Sequence, residues 1–538
     1  MSTTSSSAEK PKVLISGSGP SGLLLALALA KNGVPIRIIE KDREFHQGQR
    51  GSGVQPRTME VYDHLGVAED IFKSGMPHRN IAVYKMPEGK DIIKDFSMGQ
   101  SRPPTPSIPH PNVVNIGQDC AEGILRKHLA EYEVVPERGT ELVDFEQDEQ
   151  GVTVQLLKHN GDKTVEESAR FDYLVGADGA RSIVRKILGL TFLGTTRSTE
   201  RIVVADIAIK GLNTDYWHSW GDFATKAVLI RPTEKPGVFG VNGGGKEADI
   251  DLAMQGRDGL IKYILGVTNR HDWEFGEMKT LSEWSPAGGQ GLNSSVQDSF
   301  NLGWKLSLVC KSLAPPTILD AYTAERLPVI REMLERTTNL LDKTLKYRAD
   351  GKNTEGFARA PILHQLGVHC RASPLVVDEQ PEFAEARKAE AYLDADSSVL
   401  FAGDRAPDAP ALRVMQSALT TAEETSLFKT YTPARHTMLL FAKTPDDAWL
   451  QSVIDAAHTA PKDTIQIAVI LPQGTSSLSQ VVHDMDLVVA DTLGHAADAY
   501  PPALKGFPVI IVRPDGVVGA VVSGDQGVKR YIQGIFVH

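Results

Sequence analysis

Val13-Leu14-Ile15-Ser16-Gly17-Ser18-Gly19-Pro20-Ser21-Gly22 decides the fold class. A short apolar run ends in a Gly-x-Gly-x-x-Gly turn. Leu23 to Ala30 follow, rich in helix formers, and Ile36 to Ile39 form a second apolar run that stops at Glu40. The order is strand, glycine turn, helix, strand, acid. Gly17, Gly19 and Gly22 let the backbone approach a pyrophosphate, and the helix N-terminus turns aligned N–H dipoles toward the same group. The Glu40 carboxylate can accept hydrogen bonds from a ribose and repels a 2′-phosphate, so FAD or NAD fits better here than NADP. The motif alone does not separate FAD from NAD, and a Gly-rich turn also occurs in loops without a ligand.

Around this unit the chain has ordinary globular composition. Its 538 residues correspond to roughly three or four domains. The hydrophobic fraction is 41% and the charged fraction 23%, which excludes a wholly disordered or collagen-like chain. A formal charge of −11 without long basic blocks argues against nucleic acid and anionic membranes as partners. Cys120, Cys310 and Cys370 are widely spaced, so neither a zinc site nor a disulfide framework is expected. Met1 to Lys12 are polar and Ser/Thr-rich, without the apolar core of a signal peptide, and no apolar run approaches the length of a membrane span. A reducing, cytoplasmic setting is the expectation.

Two further stretches separate the cofactors. Phe171 to Gly176 is an apolar strand that opens into Ala177-Asp178-Gly179-Ala180-Arg181-Ser182. Ser285-Pro286-Ala287-Gly288-Gly289-Gln290-Gly291-Leu292-Asn293 leads into Val296 to Leu306, which reads as a helix. Proline and glycines keep that loop free of side chains beside a flat ring, and the helix N-terminus supplies partial positive charge. With these motifs the chain resembles the group A flavoprotein monooxygenases, the aromatic-ring hydroxylases of the p-hydroxybenzoate and phenol hydroxylase type. The resemblance implies FAD as cofactor, with Asp178 and Gly179 near its pyrophosphate. It places Pro286, Gly291, Leu292 and Asn293 at the isoalloxazine. Arg50, in Gly48-Gln49-Arg50-Gly51-Ser52-Gly53, and Gln118, which opens Gln118-Asp119-Cys120-Ala121-Glu122, are expected to contact FAD by the same resemblance. The implied reaction reduces FAD with NAD(P)H, adds O2 to form a C4a-hydroperoxide and hydroxylates a small phenolic or other aromatic substrate.

The pattern breaks at one place. Members of the family have an apolar strand and a Gly-Asp turn, whose Asp contacts the ribityl chain, before the Pro-Gly-rich loop. Here Leu281-Ser282-Glu283-Trp284 runs directly into Ser285-Pro286. Either Glu277 to Trp284 takes the vacant strand position, or the slot stays open. The alternatives to hydroxylation are therefore an inactive or poorly flavin-retaining chain, or a flavin oxidoreductase without hydroxylation.

The expected fold is α/β: a Rossmann-like FAD-binding domain, an inserted β-sheet substrate domain and a thioredoxin-like C-terminal domain. The expected boundaries are a flexible 1–12, FAD binding in 13–182, the substrate sheet in 183–284, the rest of the FAD domain with a helical region in 285–394, and 395–538 at the end. Tyr216, Trp217 and Trp220 could line an aromatic pocket, although such residues more often pack a core. His218 has no visible partner as a base. No catalytic residue is assigned. Thr437–Phe441, Ile465–Leu471, Leu487–Ala490 and Val509–Val512 read as C-terminal strands, and Pro514-Asp515-Gly516 as a hairpin turn. With no cysteine beyond Cys370, dithiol chemistry is excluded there, and an interaction or homodimer role is expected.

Overall fold

The computed structural model describes residues 10–49, 51–77, 79–97, 99, 101–161, 163–192, 201–284, 290–345, 361–393, 399–443, 448–475, 484–500 and 508–537. The opening unit folds as its pattern dictates. Val13–Ser16 is fully buried and pairs in parallel with Ile36–Glu40 on one side and Tyr173–Gly176 on the other. Glu137–Arg138 completes this sheet beyond Ile36–Glu40. A strand flanked by parallel neighbours and covered on both faces reads as a continuous apolar run, as Val-Leu-Ile does.

The helix Pro20–Lys31 starts with proline in its first turn, where the missing N–H costs nothing. It is buried from Gly22 to Ala30 because a second helix, Gly291–Cys310, packs against it. Gly303 makes the close approach possible: a Cβ there would stand 2.9 Å from the Ala28 methyl.

A seven-stranded sheet forms the second layer. Its order is Glu274–Trp284, Ile202–Lys210, Val238–Gly244, Lys226–Pro232, Trp217–Asp222, Ile81–Tyr84 and Ile92–Phe96. The expected segment 183–284 therefore supplies five strands, and a hairpin from the first third of the chain adds two. Val203, Ala205, Ile207 and Ile209 bury alternate positions, the period of a strand with one core face.

The C-terminal sheet has eight strands, in the order Val377–Asp378, Val518–Ser523, Pro508–Val512, His436–Phe441, Ile465–Leu471, Leu487–Asp491, Leu412–Ser417 and Glu424–Thr425. His436–Phe441 and Ile465–Leu471 run parallel with the helix Ala448–Ala457 between them in sequence, and Pro508–Val512 runs antiparallel to the first. This is the thioredoxin-like arrangement. Its outermost strand, Val377–Asp378, precedes residue 395.

Glu274–Trp284 keeps its place in the seven-stranded sheet, pairing with Ile202–Lys210 from Lys210↔Glu274 to Ile202↔Trp284. It does not join the parallel sheet. Among the described residues, Tyr173–Gly176 is one outer strand of the parallel sheet and Glu137–Arg138 the other.

Candidate functional site

The glycine turn is built by backbone contact. A Cβ on Gly17 would stand 2.7 Å from the Ala177 carbonyl carbon, so this glycine, at φ +108°, lets the turn cross the end of Tyr173–Gly176. A Cβ on Gly22 would collide with the Gly17 carbonyl. Gly19 differs: among the described residues, its chain neighbours and own helix backbone apart, no heavy atom lies within 4 Å of its Cβ position. Two glycines thus close the turn, and the third leaves open space beside the uncapped N-terminus of Pro20–Lys31.

Two carboxylates border that space. Glu40 Oε2 accepts from both Ser18 N and Ser18 Oγ at 3.0 Å, and its Oε1 accepts from Asp42 N at 3.2 Å. The end of the second strand is thereby fastened to the glycine turn. Asp178 Oδ2 accepts from Ile183 N at 2.8 Å and from Val184 N at 3.3 Å. Its Oδ1 is buried with no partner among the described residues, an acceptor waiting for a donor. Gly179, at φ +74°, also faces open space.

A second group gathers at the start of Gly291–Cys310, whose first turn has no side-chain cap. Gln290 is 4% exposed and its Oε1 has no partner among the described residues. Asn293 is fully buried: Oδ1 accepts from Gln55 N at 2.8 Å and Nδ2 donates to Gly53 O at 2.9 Å. Its side chain is committed to the backbone of the Gly53–Val54 strand, which pairs with Val114–Asn115. Leu292 packs on the core beneath. Gln118 N donates to Gly51 O at 3.0 Å, while its side chain donates to Glu122 on its own helix at 2.8 Å. Asn293 and Gln118 thus position the segment after residue 50. Arg50 and Pro286 lie outside the described residues.

A cavity of about 580 Å³ opens beside the Gly53–Val54/Val114–Asn115 ladder. Phe72, Met76, Pro77, Val113 and Val114 make its walls apolar, with His110 and His364 as polar points. Met76 and Asn115 exchange backbone hydrogen bonds, which ties the wall to the ladder that Asn293 anchors. His110 Nε2 lies 3.0 Å from Asp63 Oδ2. Burial pushes the Asp63 carboxyl up, but His110 outweighs it and holds the group below its usual value.

Trp220 takes the commoner of the two roles and packs in the core. Trp220 is fully buried, stacks on Tyr84 at 4.4 Å and donates to Gly89 O. His218 has Tyr84 OH at 2.8 Å from Nδ1 and Asn213 O at 3.0 Å from Nε2. Burial brings its pKa down to about 4. Both ring nitrogens are engaged, so no base is available there.

A family model described as an FAD binding domain matches residues 10–256 and 282–337, more than half of the chain. The chain belongs to that family. A flavin-dependent monooxygenase from Mycobacteroides abscessus is 31% identical over 74% of this chain and 83% of its own length. Pentachlorophenol 4-monooxygenase from Sphingobium chlorophenolicum is 25% identical over 96% and 94%. The crystal structure of the flavin-dependent monooxygenase PieE with FAD and substrate superimposes with a TM-score of 0.76, covering 97% of each chain at 22% identity. This FAD-dependent monooxygenase therefore has the fold that its glycine turn implies, and FAD is its cofactor. The open space at Gly19 and the uncapped helix N-termini fit the anionic part of an extended dinucleotide, and the unpartnered Asp178 Oδ1 fits a hydroxyl donor on it.

Proposed function

We propose that this monooxygenase hydroxylates an aromatic substrate held in the 580 Å³ cavity, with NAD(P)H as reductant and O2 as oxygen source. Gly19 and the helix N-terminus behind it would take the pyrophosphate, Asp178 Oδ1 would accept from a hydroxyl of the dinucleotide, and the Gly291 helix N-terminus would take the ring. FAD, when bound, supplies the oxygen-transfer chemistry. The protein supplies position and dryness: the apolar walls exclude water, and the helix dipole favours negative charge on the ring.

The cavity carries this reading, because its wall is hydrogen-bonded to the ladder that Asn293 fixes to the flavin helix. Its size suits more than one fused ring. Relatives named for pentachlorophenol, 6-methylpretetramide and rifampicin support a bulky substrate. The test is substrate-dependent NAD(P)H oxidation across aromatic compounds of increasing ring number, with hydroxylated product counted against hydrogen peroxide. Peroxide alone would favour an oxidoreductase without hydroxylation.

A second reading rests on the outer position of Tyr173–Gly176. Without the family strand and its Gly-Asp turn, FAD loses a contact to its ribityl chain, and the chain retains flavin weakly. Inserting a family-like strand and Gly-Asp turn between Trp284 and Ser285 should then raise both flavin content and hydroxylation. Equal flavin content with and without the insert would refute that reading.

A further inference from the structure

Gln49 is 4% exposed and serves three charged groups at once. Its backbone N–H donates to Asp206 Oδ2 at 2.7 Å, its Nε2 donates to Glu234 Oε2 at 2.5 Å, and its Oε1 accepts from Arg231 Nη1 at 2.5 Å. Asp206 lies in the Ile202–Lys210 strand, Arg231 in Lys226–Pro232, and Glu234 two residues beyond that strand. All three belong to the seven-stranded sheet or its turns, whereas Gln49 belongs to the loop of the cofactor domain. The amide offers a donor to Glu234 and an acceptor to Arg231 at once; a carboxylate cannot donate and an ammonium cannot accept.

The fit around the loop is tight. A Cβ on Gly48, at φ +90°, would stand 2.6 Å from Asp206 Oδ2, and one on Gly117 would stand 2.8 Å from Glu234 Oε1. Gly48 N donates to Asp119 Oδ2 at 2.9 Å and Gly117 N to Glu234 Oε2 at 3.2 Å. Lys235 pairs with Asp119 at 2.5 Å, and Thr280 Oγ1 donates to Asp206 Oδ2 at 3.2 Å. Further along, Gly51, Ser52 and Gly53 are anchored separately, by Gln118 N, Ile116 N and Asn293. Gln49, by its backbone N–H and by its side chain, is thus the residue through which the sheet holds this part of the loop.

We propose that Gln49 is a positioning residue, through which the seven-stranded sheet sets the Gly48–Gly53 loop against FAD. The proposal rests on FAD occupying the site described above. Arg231 and Asp206 act through Gln49 and share its role. The seven-stranded sheet and this loop then move as one body. A change at Gln49 alters the flavin environment before it alters folding, because 51–53 keep their own anchors.

The test uses the full chain. FAD is titrated into apoprotein, the visible circular dichroism of bound FAD is recorded, and thermal midpoints are measured. Gln49→Met keeps side-chain length and removes both polar atoms. It should weaken FAD about tenfold or more and change the dichroism, while the apoprotein still unfolds cooperatively. Arg231→Lys keeps a donor and the charge and should give a smaller shift in the same direction. Unchanged affinity and dichroism in folded Gln49→Met overturn the proposal, as does a lowered midpoint with unchanged flavin properties. If Gln49→Met does not fold, Arg231→Lys decides on the same two readouts. A wild-type chain that takes up no FAD overturns the cofactor reading itself.

Discussion

Arg513 and Glu325 form a two-point ion pair in which neither side chain has any exposure: Nη1 donates to Oε1 at 2.7 Å and Nη2 to Oε2 at 3.0 Å. The same carboxylate accepts from Lys305 at 2.8 Å, Asn301 at 2.6 Å and Ser373 at 2.5 Å. Burial pushes Glu325 up, but Arg513 and Lys305 outweigh it and hold the group well below the usual carboxylate range. Asp515 accepts from Trp304 and Asn301 at 3.1 Å, and Arg57 donates to the Asp515 and Gly516 carbonyls. The C-terminal hairpin is thereby locked onto the flavin helix. Such a cluster is costly to form but costlier to break.

Arg513→Met leaves Glu325 and Asp515 buried without their main cation. The expected loss is about 3–5 kcal/mol of stability. Chemical denaturation followed by tryptophan fluorescence measures it, since Trp304 lies in the cluster. A loss below about 1 kcal/mol would mean that Lys305 alone compensates Glu325.

The cavity makes a separate demand. Val113→Trp should fill part of its volume, raise KM for a bulky aromatic substrate about tenfold or more, and leave FAD content unchanged. Steady-state kinetics beside a flavin absorbance reading check this. An unchanged KM for the same substrate would place the substrate elsewhere.

Buried histidines set the acid limit. His436 is held down to about 3 by burial and then by Arg513, and its ring packs among Trp304, Tyr531 and Phe536. His64 is likewise lowered to about 3, by burial and then by Arg57. Above pH 6.5 both folded and unfolded chains keep these rings neutral, so the stabilisation is fully present. As pH falls below 6.5, the unfolded chain takes up protons that the folded chain refuses until about pH 3. Each such histidine therefore removes about 1.4 kcal/mol per pH unit. His436→Phe should lose about 2 kcal/mol less than the parent between pH 7 and pH 5. Urea titrations at the two pH values measure the difference, and equal losses would show that His436 does not remain neutral in the fold.

What was legible in the sequence was local. Val13 to Glu40 carries its fold in consecutive residues, and four of the eight C-terminal strands, His436–Phe441, Ile465–Leu471, Leu487–Asp491 and Pro508–Val512, lie within a residue or two of the apolar runs that announce them. The hairpin Ile81–Phe96 carries strand-like residues but nothing that assigns it to a sheet whose other strands begin at Ile202. Asn293 was legible as a site residue but not as a fastener for Gly53 and Gln55, 240 and 238 positions away. Gln49 gave no signal, because its meaning lies in partners 157, 182 and 185 residues distant. His218 reads the same in sequence whether it is a base or a core residue; the two hydrogen bonds on its ring decide that.

Gly19 offers the most direct measurement, since its Cβ direction is open where Gly17 and Gly22 are closed. The purified chain and its Gly19→Trp variant are saturated with FAD, passed through a desalting column and read for visible flavin absorbance per chain. The parent should carry flavin through the column. The variant should lose it while keeping the parent's far-ultraviolet circular dichroism, because an indole takes the space that the pyrophosphate needs. Full and equal flavin occupancy in a folded Gly19→Trp chain would contradict the assignment of the glycine turn to FAD.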